Sequence, residues 1–313
     1  MNNLILSSTP LRISLIGGGT DFKEFYANTG TYGQVISLAI NLNTYCILKK
    51  KNKAIINLGE SFFKNEISNT NIYKAFTKFL KEQKIDQQYD IVFYSDIPSG
   101  SGLGTSSSFI LSLLKCFFIS IKKKISLEQL INYSNYFESH LMRRPIGMQD
   151  AWGSQIPGIK KIKFTSRKIF VKKINNKKFT NFVNSKLFLF PINAFRSNKK
   201  LLGNIRKNII QNSDTVYLLK KMNQLSNNAY EAILNNNYKY LLSILKESHK
   251  IKSSYAKGVS NNAIEKSFNY LEKNGLTPLK VLGAGGRGFV LFFSNDKNKI
   301  IKKKINHLDF KVV

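Results

Sequence analysis

Cysteine is scarce in this chain of 313 residues: only Cys46 and Cys116 occur. Both stand among apolar neighbours without the paired spacing that zinc or a disulfide framework requires, so both are expected to be reduced core residues. Long apolar runs are missing too. The longest, residues 109–121, is shorter than a bilayer crossing and is interrupted by Lys115, which predicts a buried helix and no membrane span. The first residues carry no basic stretch, and the apolar run at 4–6 is too short for the core of a signal peptide, so a cytoplasmic chain is expected. No fixed-period repeat stands out, and no low-complexity linker splits the chain. Acidic residues are few, 18 against 49 lysines and arginines, for a formal net charge of +31.

What is present is a globular composition. With 42% hydrophobic residues the chain can bury a substantial core, and its length suggests about two domains. The positive charge attracts phosphate, and a basic RNA-binding protein is one reading of it. The lysines, however, are spread along the chain rather than gathered in one motif. Runs at 49–51, 122–124 and 302–304 sit beside apolar segments, where solvated faces are expected. The same field suits an acidic small-molecule substrate.

The order of elements predicts a mixed α+β chain. An apolar strand at 11–16 runs into Gly17, Gly18 and Gly19, and a strand-like region follows at 33–48. Helical spacing at 72–80 precedes a β-rich run at 89–94, a loop at 95–105 and a long apolar helix to residue 121. Ser126 is placed as an N-cap, with helical spacing from there to Met142 and a break at Arg143, Arg144 and Pro145. Residues 159–190 alternate lysines with apolar β-formers, 198–274 read as mainly helical, and strand character returns at 279–282 and 289–293.

Four segments carry chemistry. The first, residues 96–108, places glycines and hydroxyls between a predicted strand and a predicted helix. Glycines let the backbone approach an anion, and a helix N-terminus stabilises it, yet a structural glycine-serine turn would look the same. No lysine closes the loop, which disfavours an ordinary P-loop. The second, residues 283–290, fits the spacing of dinucleotide and protein-kinase glycine loops, but a strand follows it and His-Arg-Asp and Asp-Phe-Gly are both missing, which removes both readings. A tight turn beside the active site is expected instead. The third spans Glu138 and Asp150, on either side of the 143–145 break, which lets both point into one cleft. One carboxylate could bind magnesium and the other orient a substrate proton; taken singly, each is better read as an ordinary helix or loop acid. In the fourth, Arg12 interrupts the apolar strand that ends in Gly19, Thr20 and Asp21, and an arginine there demands a partner, either a structural acid or Asp150 and phosphate in a cleft.

Taken together and in order, these segments resemble the GHMP kinases, a family that includes galactokinase, homoserine kinase and mevalonate kinase. Residues 10–21 resemble its first motif, Pro-x-Arg-x-x-Leu-x-Gly followed by Thr-Asp. Residues 98–106 resemble its second, Pro-x-x-x-Gly-Leu-x-Ser-Ser, with Thr105 in place of the first serine. Residues 279–293 resemble the third, where Arg287 replaces a glycine found in many members. The Gly-Gly-Gly-Thr-Asp of 17–21 and the Gly-Met-Gln-Asp of 147–150 are most similar to kinases of D-glycero-D-manno-heptose 7-phosphate.

The resemblance implies an α+β, two-domain GHMP kinase fold: a ribosomal protein S5 domain 2-like N-terminal domain at 1–175 and a C-terminal α+β domain at 176–313. It implies ATP and Mg2+ as cofactors and phosphorylation of a sugar phosphate at its anomeric hydroxyl, for nucleotide-activated heptose synthesis. Pro98, Gly100, Ser101, Gly102, Leu103, Gly104, Thr105, Ser106 and Ser107 would contact ATP, with Ser106 and Glu138 on the metal. Asp150 and Arg12 would be catalytic. Gly18, Gly19, Thr20, Asp21, Arg196, Gly285 and Gly286 would contact the substrate, and Arg143, Arg144, Arg196 and Arg287 are the candidates for its phosphate. Should none of these arginines touch substrate, a neutral sugar such as fucose or galactose becomes the alternative. The remaining implications are no specific nucleic acid, no membrane and room for a homodimer.

Overall fold

β1 (Leu4–Ile16) and β2 (Gly33–Lys50) pair along most of their length and form the spine of a five-stranded antiparallel sheet. The computed structural model describes residues 4–51, 71–192, 198–255 and 258–313. β2 is long enough to serve two partners on its other edge. β3 (Tyr89–Ser95) takes residues 44–50, and β4 (Ile159–Phe164) takes residues 33–38, with β5 (Ile169–Lys173) folded back on β4. β1 alternates between exposed and half-buried as far as Ser8, and from Leu11 onward every residue is buried. The register shifts between Pro10 and Leu11, where proline has no N–H to give the ladder. Beyond that shift the strand carries Arg12 into the interior.

The second sheet is smaller. β8 (Gly288–Phe293) lies between β6 (Leu187–Ile192) and β7 (Thr277–Val281), all antiparallel. Helix α1 (Lys23–Asn28) follows the first glycine turn, α3 (Thr105–Ser120) covers the large sheet, and α2 (Asn71–Glu82) packs against α3 through Phe76 and Phe79. Twelve side chains of α3 are buried, so the apolar run forms a central helix. Its Phe117 meets Phe76, Phe79 and Tyr89 edge to face. α4 (Leu127–Tyr136) begins at a capping box between Ser126 and Gln129. The helix expected to continue to Met142 instead widens into a π-helical turn at Phe137–Leu141, and α5 (Gln149–Gln155) follows the break. A π turn shifts side chains out of α register, and here it carries Glu138 inward.

The alternating stretch at 159–190 is not all strand. α6 (Lys177–Lys186), capped by Asn176, occupies its second half because Phe179 and Val183 recur at helical spacing and bury one face. α7 (Asn198–Gln211), α8 (Ser213–Leu234) and α9 (Tyr238–Tyr255) come next, and α10 (Asn262–Lys273) and α11 (Lys297–Lys302) pack near the small sheet. One apolar core runs continuously from Leu11 and Ile13 of the large sheet to Leu189 and Leu291 of the small one, with a second cluster around Phe188, Leu271 and Phe292. Cys46 and Cys116 are free and buried. Lys122, Lys123, Lys124, Lys302, Lys303 and Lys304 are exposed, as is Lys49. Among the described residues no helix is long and apolar enough to cross a membrane.

Candidate active site

A cavity of about 510 Å3 is lined from β1, α3, the 138–150 segment, α9 and the second glycine loop. α3 points its N-terminus into it. Gly104 caps that helix with φ of 76°, a left-handed conformation that glycine adopts without penalty, and Thr105 and Ser106 follow on the cavity wall. The first-turn amides of a helix have no acceptor within the helix, so this end is suited to anions.

Arg12 and Asp150 meet across this end. Both Nε and Nη2 of Arg12 donate to Oδ1 of Asp150, at 3.1 and 2.7 Å, and Nη1 donates to the Gly102 carbonyl at 2.9 Å. The backbone of Arg12 also bonds to Leu103. The arginine predicted to need a partner therefore ties β1 to the phosphate-loop candidate and to the acid at the start of α5. Oδ2 of Asp150 makes no hydrogen bond with a described residue, and the side chain is about one-third exposed toward the cavity.

Glu138, 2% exposed, sits beneath the same helix end. Ser106 Oγ donates to Oε2 at 3.1 Å, Ser107 Oγ donates to Oε1, and Arg144 approaches Oε2 at 3.8 Å while also reaching Ser106. Burial pushes the carboxyl of Glu138 above its ordinary range, with the charge of Asp150 adding to it; Ser107, Arg144 and Ser106 work the other way. No group of three or more His, Cys, Asp or Glu able to hold a metal occurs among the described residues. A divalent cation would thus need Glu138, a serine hydroxyl and ligands from a bound molecule, which is the donor set magnesium takes when it rides on phosphates. The residues fit it.

On the other side, Asp21 accepts from the amide of Gly19 at 2.9 Å and from that of Gln149 at 3.2 Å. Burial, and secondarily the charge of Asp150, raises its carboxyl to about 6. A Cβ on Gly147 would collide with Asp21 Oδ2.

The second glycine loop packs onto the first. A Cβ on Gly102 would lie 2.6 Å from the Leu282 carbonyl oxygen, and one on Gly283 would collide with the Gly102 backbone. The two loops, from opposite halves of the chain, fit each other only because both positions lack side chains.

Three residues that motif reading passed over also belong to the site. Lys252 of α9 lines the cavity and donates to the Gly283 carbonyl; burial, then Arg12, lowers its ammonium to about 8 against the pull of Asp21 and Asp150. Lys280 of β7 donates to the Ser14 and Leu15 carbonyls at 3.2 and 2.8 Å, and burial holds its ammonium well below the usual range, with Lys252 and Arg12 adding to the effect. Tyr255 donates to the Gly18 carbonyl at 3.0 Å.

Of the residues expected to contact ligands, Arg12, Gly18, Gly19, Asp21, Gly100, Gly102, Gly104, Thr105, Ser106, Glu138 and Asp150 line the cavity. Ser101 and Ser107 stand just behind the wall, bonded to Thr105 and Glu138. Leu103 is wholly buried in the core, and Pro98 is exposed outside the cavity. Thr20, expected to contact substrate, is instead fully buried, and its hydroxyl is used by the Gly17 and Gln34 carbonyls, closing the glycine turn onto β2. Gly285 and Gly286 face Val259 and Asn261, and Gly283, Ala284 and Arg287 take their place at the cavity. Of the arginines considered for a substrate phosphate, Arg144 and Arg287 line the cavity, Arg143 is exposed outside it, and Arg196 lies outside the described residues.

Residues 70–154 match the family model described as the GHMP kinases N terminal domain. The chain is 26% identical to the D-glycero-alpha-D-manno-heptose 7-phosphate kinase of Campylobacter jejuni, over 94% of this chain and 91% of that protein. The solved D-glycero-D-manno-heptose 1-phosphate kinase from Bacteriodes thetaiotaomicron shares the fold with a TM-score of 0.71 at 18% identity, over 99% of this chain and 96% of that one. Galactokinase from Lactococcus lactis, solved with galactose, gives 0.73 at 15% identity over 99% and 94%. The segment that supplies α3, Glu138 and Asp150 is therefore a GHMP kinase N-terminal domain, and the chain around it has the two-domain α+β fold of GHMP kinases.

Proposed function

We propose that this chain is an ATP-dependent sugar-phosphate kinase that transfers the γ-phosphoryl group to the anomeric hydroxyl of D-glycero-D-manno-heptose 7-phosphate, giving the 1,7-bisphosphate. The observation that carries the reading is the Arg12–Asp150 pair set between the N-terminus of α3 and Asp21 in one cavity. The near full-length likeness to a heptose 7-phosphate kinase supports the choice of acceptor. We also take the division between the two domains to fall near residue 175, between β5 and β6, which belong to different sheets.

In this reading the first-turn amides of α3 hold the phosphates, and Oδ2 of Asp150 accepts the hydroxyl proton as the sugar oxygen bonds to phosphorus and the bond to the β-phosphate oxygen breaks. Arg12 keeps Asp150 oriented, because the guanidinium occupies the other carboxylate oxygen. Glu138 and Ser106 would hold a magnesium ion, which when bound offsets the charge on the phosphates. Asp21 would receive hydrogen bonds from sugar hydroxyls beside Gly18 and Gly19.

Phosphorus NMR of the purified protein with Mg-ATP and heptose 7-phosphate, run beside fucose, galactose and mannose, tests the reading. A new anomeric phosphate with heptose 7-phosphate alone is the expected result. Product from a neutral sugar would keep the kinase and discard the heptose; no product from any acceptor would remove the assignment.

A further inference from the structure

The cations at the cavity are nearly all accounted for. Arg12 pairs with Asp150 and Arg144 with Glu138, while Lys252 and Lys280 donate to backbone carbonyls. Arg287 differs: its side chain makes no ion pair or hydrogen bond with a described residue, and its Nε is buried without a partner. A buried N–H left without an acceptor is unfavourable, and a charged one more so. Its position shows where the acceptor would come from. Arg287 reaches out of the second glycine loop and lies against Gly100 of the first, so closely that any Cβ on Gly100 would collide with the guanidinium. Its neighbours on the cavity wall include Ser99 and Gly100, in the turn that leads into α3. A planar guanidinium with open donors over such a turn matches the oxygens of a phosphate.

We propose that Arg287 is a phosphate clamp for the nucleotide, holding an oxygen of the polyphosphate against the Gly100 turn while the amides of α3 hold it from the helix end. The inference rests on the kinase reading and deepens it: a residue of the second glycine loop adds a cation to the turn that leads into α3. A phosphate on the acceptor sugar presents the same chemistry, so the test separates the two sources.

Isothermal calorimetry on the full-length protein with tripolyphosphate, ATP, AMP and heptose 7-phosphate reads each source. For Arg287→Gln, tripolyphosphate and ATP are expected to bind about 10- to 100-fold more weakly, the loss typical of a hydrogen-bonded charge contact, with AMP and heptose 7-phosphate unchanged. Arg287→Lys keeps the charge without the fork and is expected to fall between Arg287→Gln and wild type, which also covers the case in which the glutamine variant fails to fold. Unchanged ATP and tripolyphosphate affinities in either folded variant would overturn the clamp, as would a loss confined to heptose 7-phosphate, which would assign the cation to the acceptor. If the wild-type protein binds neither ATP nor tripolyphosphate, the kinase reading falls and takes the clamp with it; wild-type binding matched by the variants removes the clamp alone.

Discussion

Arg12 and Asp150 stand 138 positions apart in the chain and meet through two hydrogen bonds to a single carboxylate oxygen. Arg12 is 4% exposed, so the pair is held by its surroundings rather than by solvent. Asp150→Asn keeps the shape of the side chain and removes both its charge and its basicity. The expected outcome is a fall in kcat of about 1,000-fold or more with ATP affinity close to wild type. Rapid-quench turnover and calorimetry on one preparation check it, and a lost ATP site would show that Asp150 serves binding rather than proton transfer.

Glu138→Gln bears on the metal. The amide retains hydrogen bonding to Ser106 and Ser107 but offers a divalent ion no negative charge. Titrating Mg2+ against ATP binding should show the apparent metal affinity falling by about tenfold or more, while metal-free ATP binding changes little. Equal metal dependence in variant and wild type would move the metal away from Glu138.

Asp21 makes stability depend on pH. Its carboxyl, ordinarily near 3.8, is raised to about 6 in the fold, so the native state holds this proton more tightly than the unfolded chain. The contribution is therefore complete below about pH 4 and is lost as pH rises through about 6, leaving an ionised carboxylate that costs about 3 kcal/mol at neutral pH. Asp21→Asn removes the titration. Chemical denaturation between about pH 4 and 7 should show the variant gaining on wild type as pH rises; a difference independent of pH would contradict this account.

Gly147→Ala pushes a methyl group against the carboxylate of Asp21. Overpacking of this kind costs about 1–3 kcal/mol. Because Asp21 is the residue proposed to meet the sugar hydroxyls, KM for the sugar is expected to rise more than KM for ATP. Steady-state kinetics with each substrate varied in turn will show whether the two constants move together, which would point to a general loss of structure instead.

Most of the strands and helices could be read from residue spacing, since their apolar faces are regular. α6 could not, because lysines alternating with β-formers imitate a strand until Phe179 and Val183 are seen to share a buried helical face. The π turn escaped for a different reason: its residues still look helical, and only packing decides where one extra residue enters the turn. At the site, Arg12 was legible because a charge in an apolar strand needs a partner. Lys280, between Leu279 and Val281, carries the same signal. Lys252 gives no such warning, since it lies among lysines and serines that look solvated and is buried only once α9 packs on β7. Thr20 shows the converse, a motif residue whose hydroxyl is spent on the fold.

The contact between Gly102 and Gly283 also sets an order of events. A ribosome makes the turn leading into α3 well before it makes the loop that presses on that turn, so the nascent chain carries an open cradle without its cover. On the kinase reading proposed above, nucleotide capture would then be a late event in synthesis rather than a property of the first half alone. A substitution at residue 283 could silence a loop whose own sequence is intact.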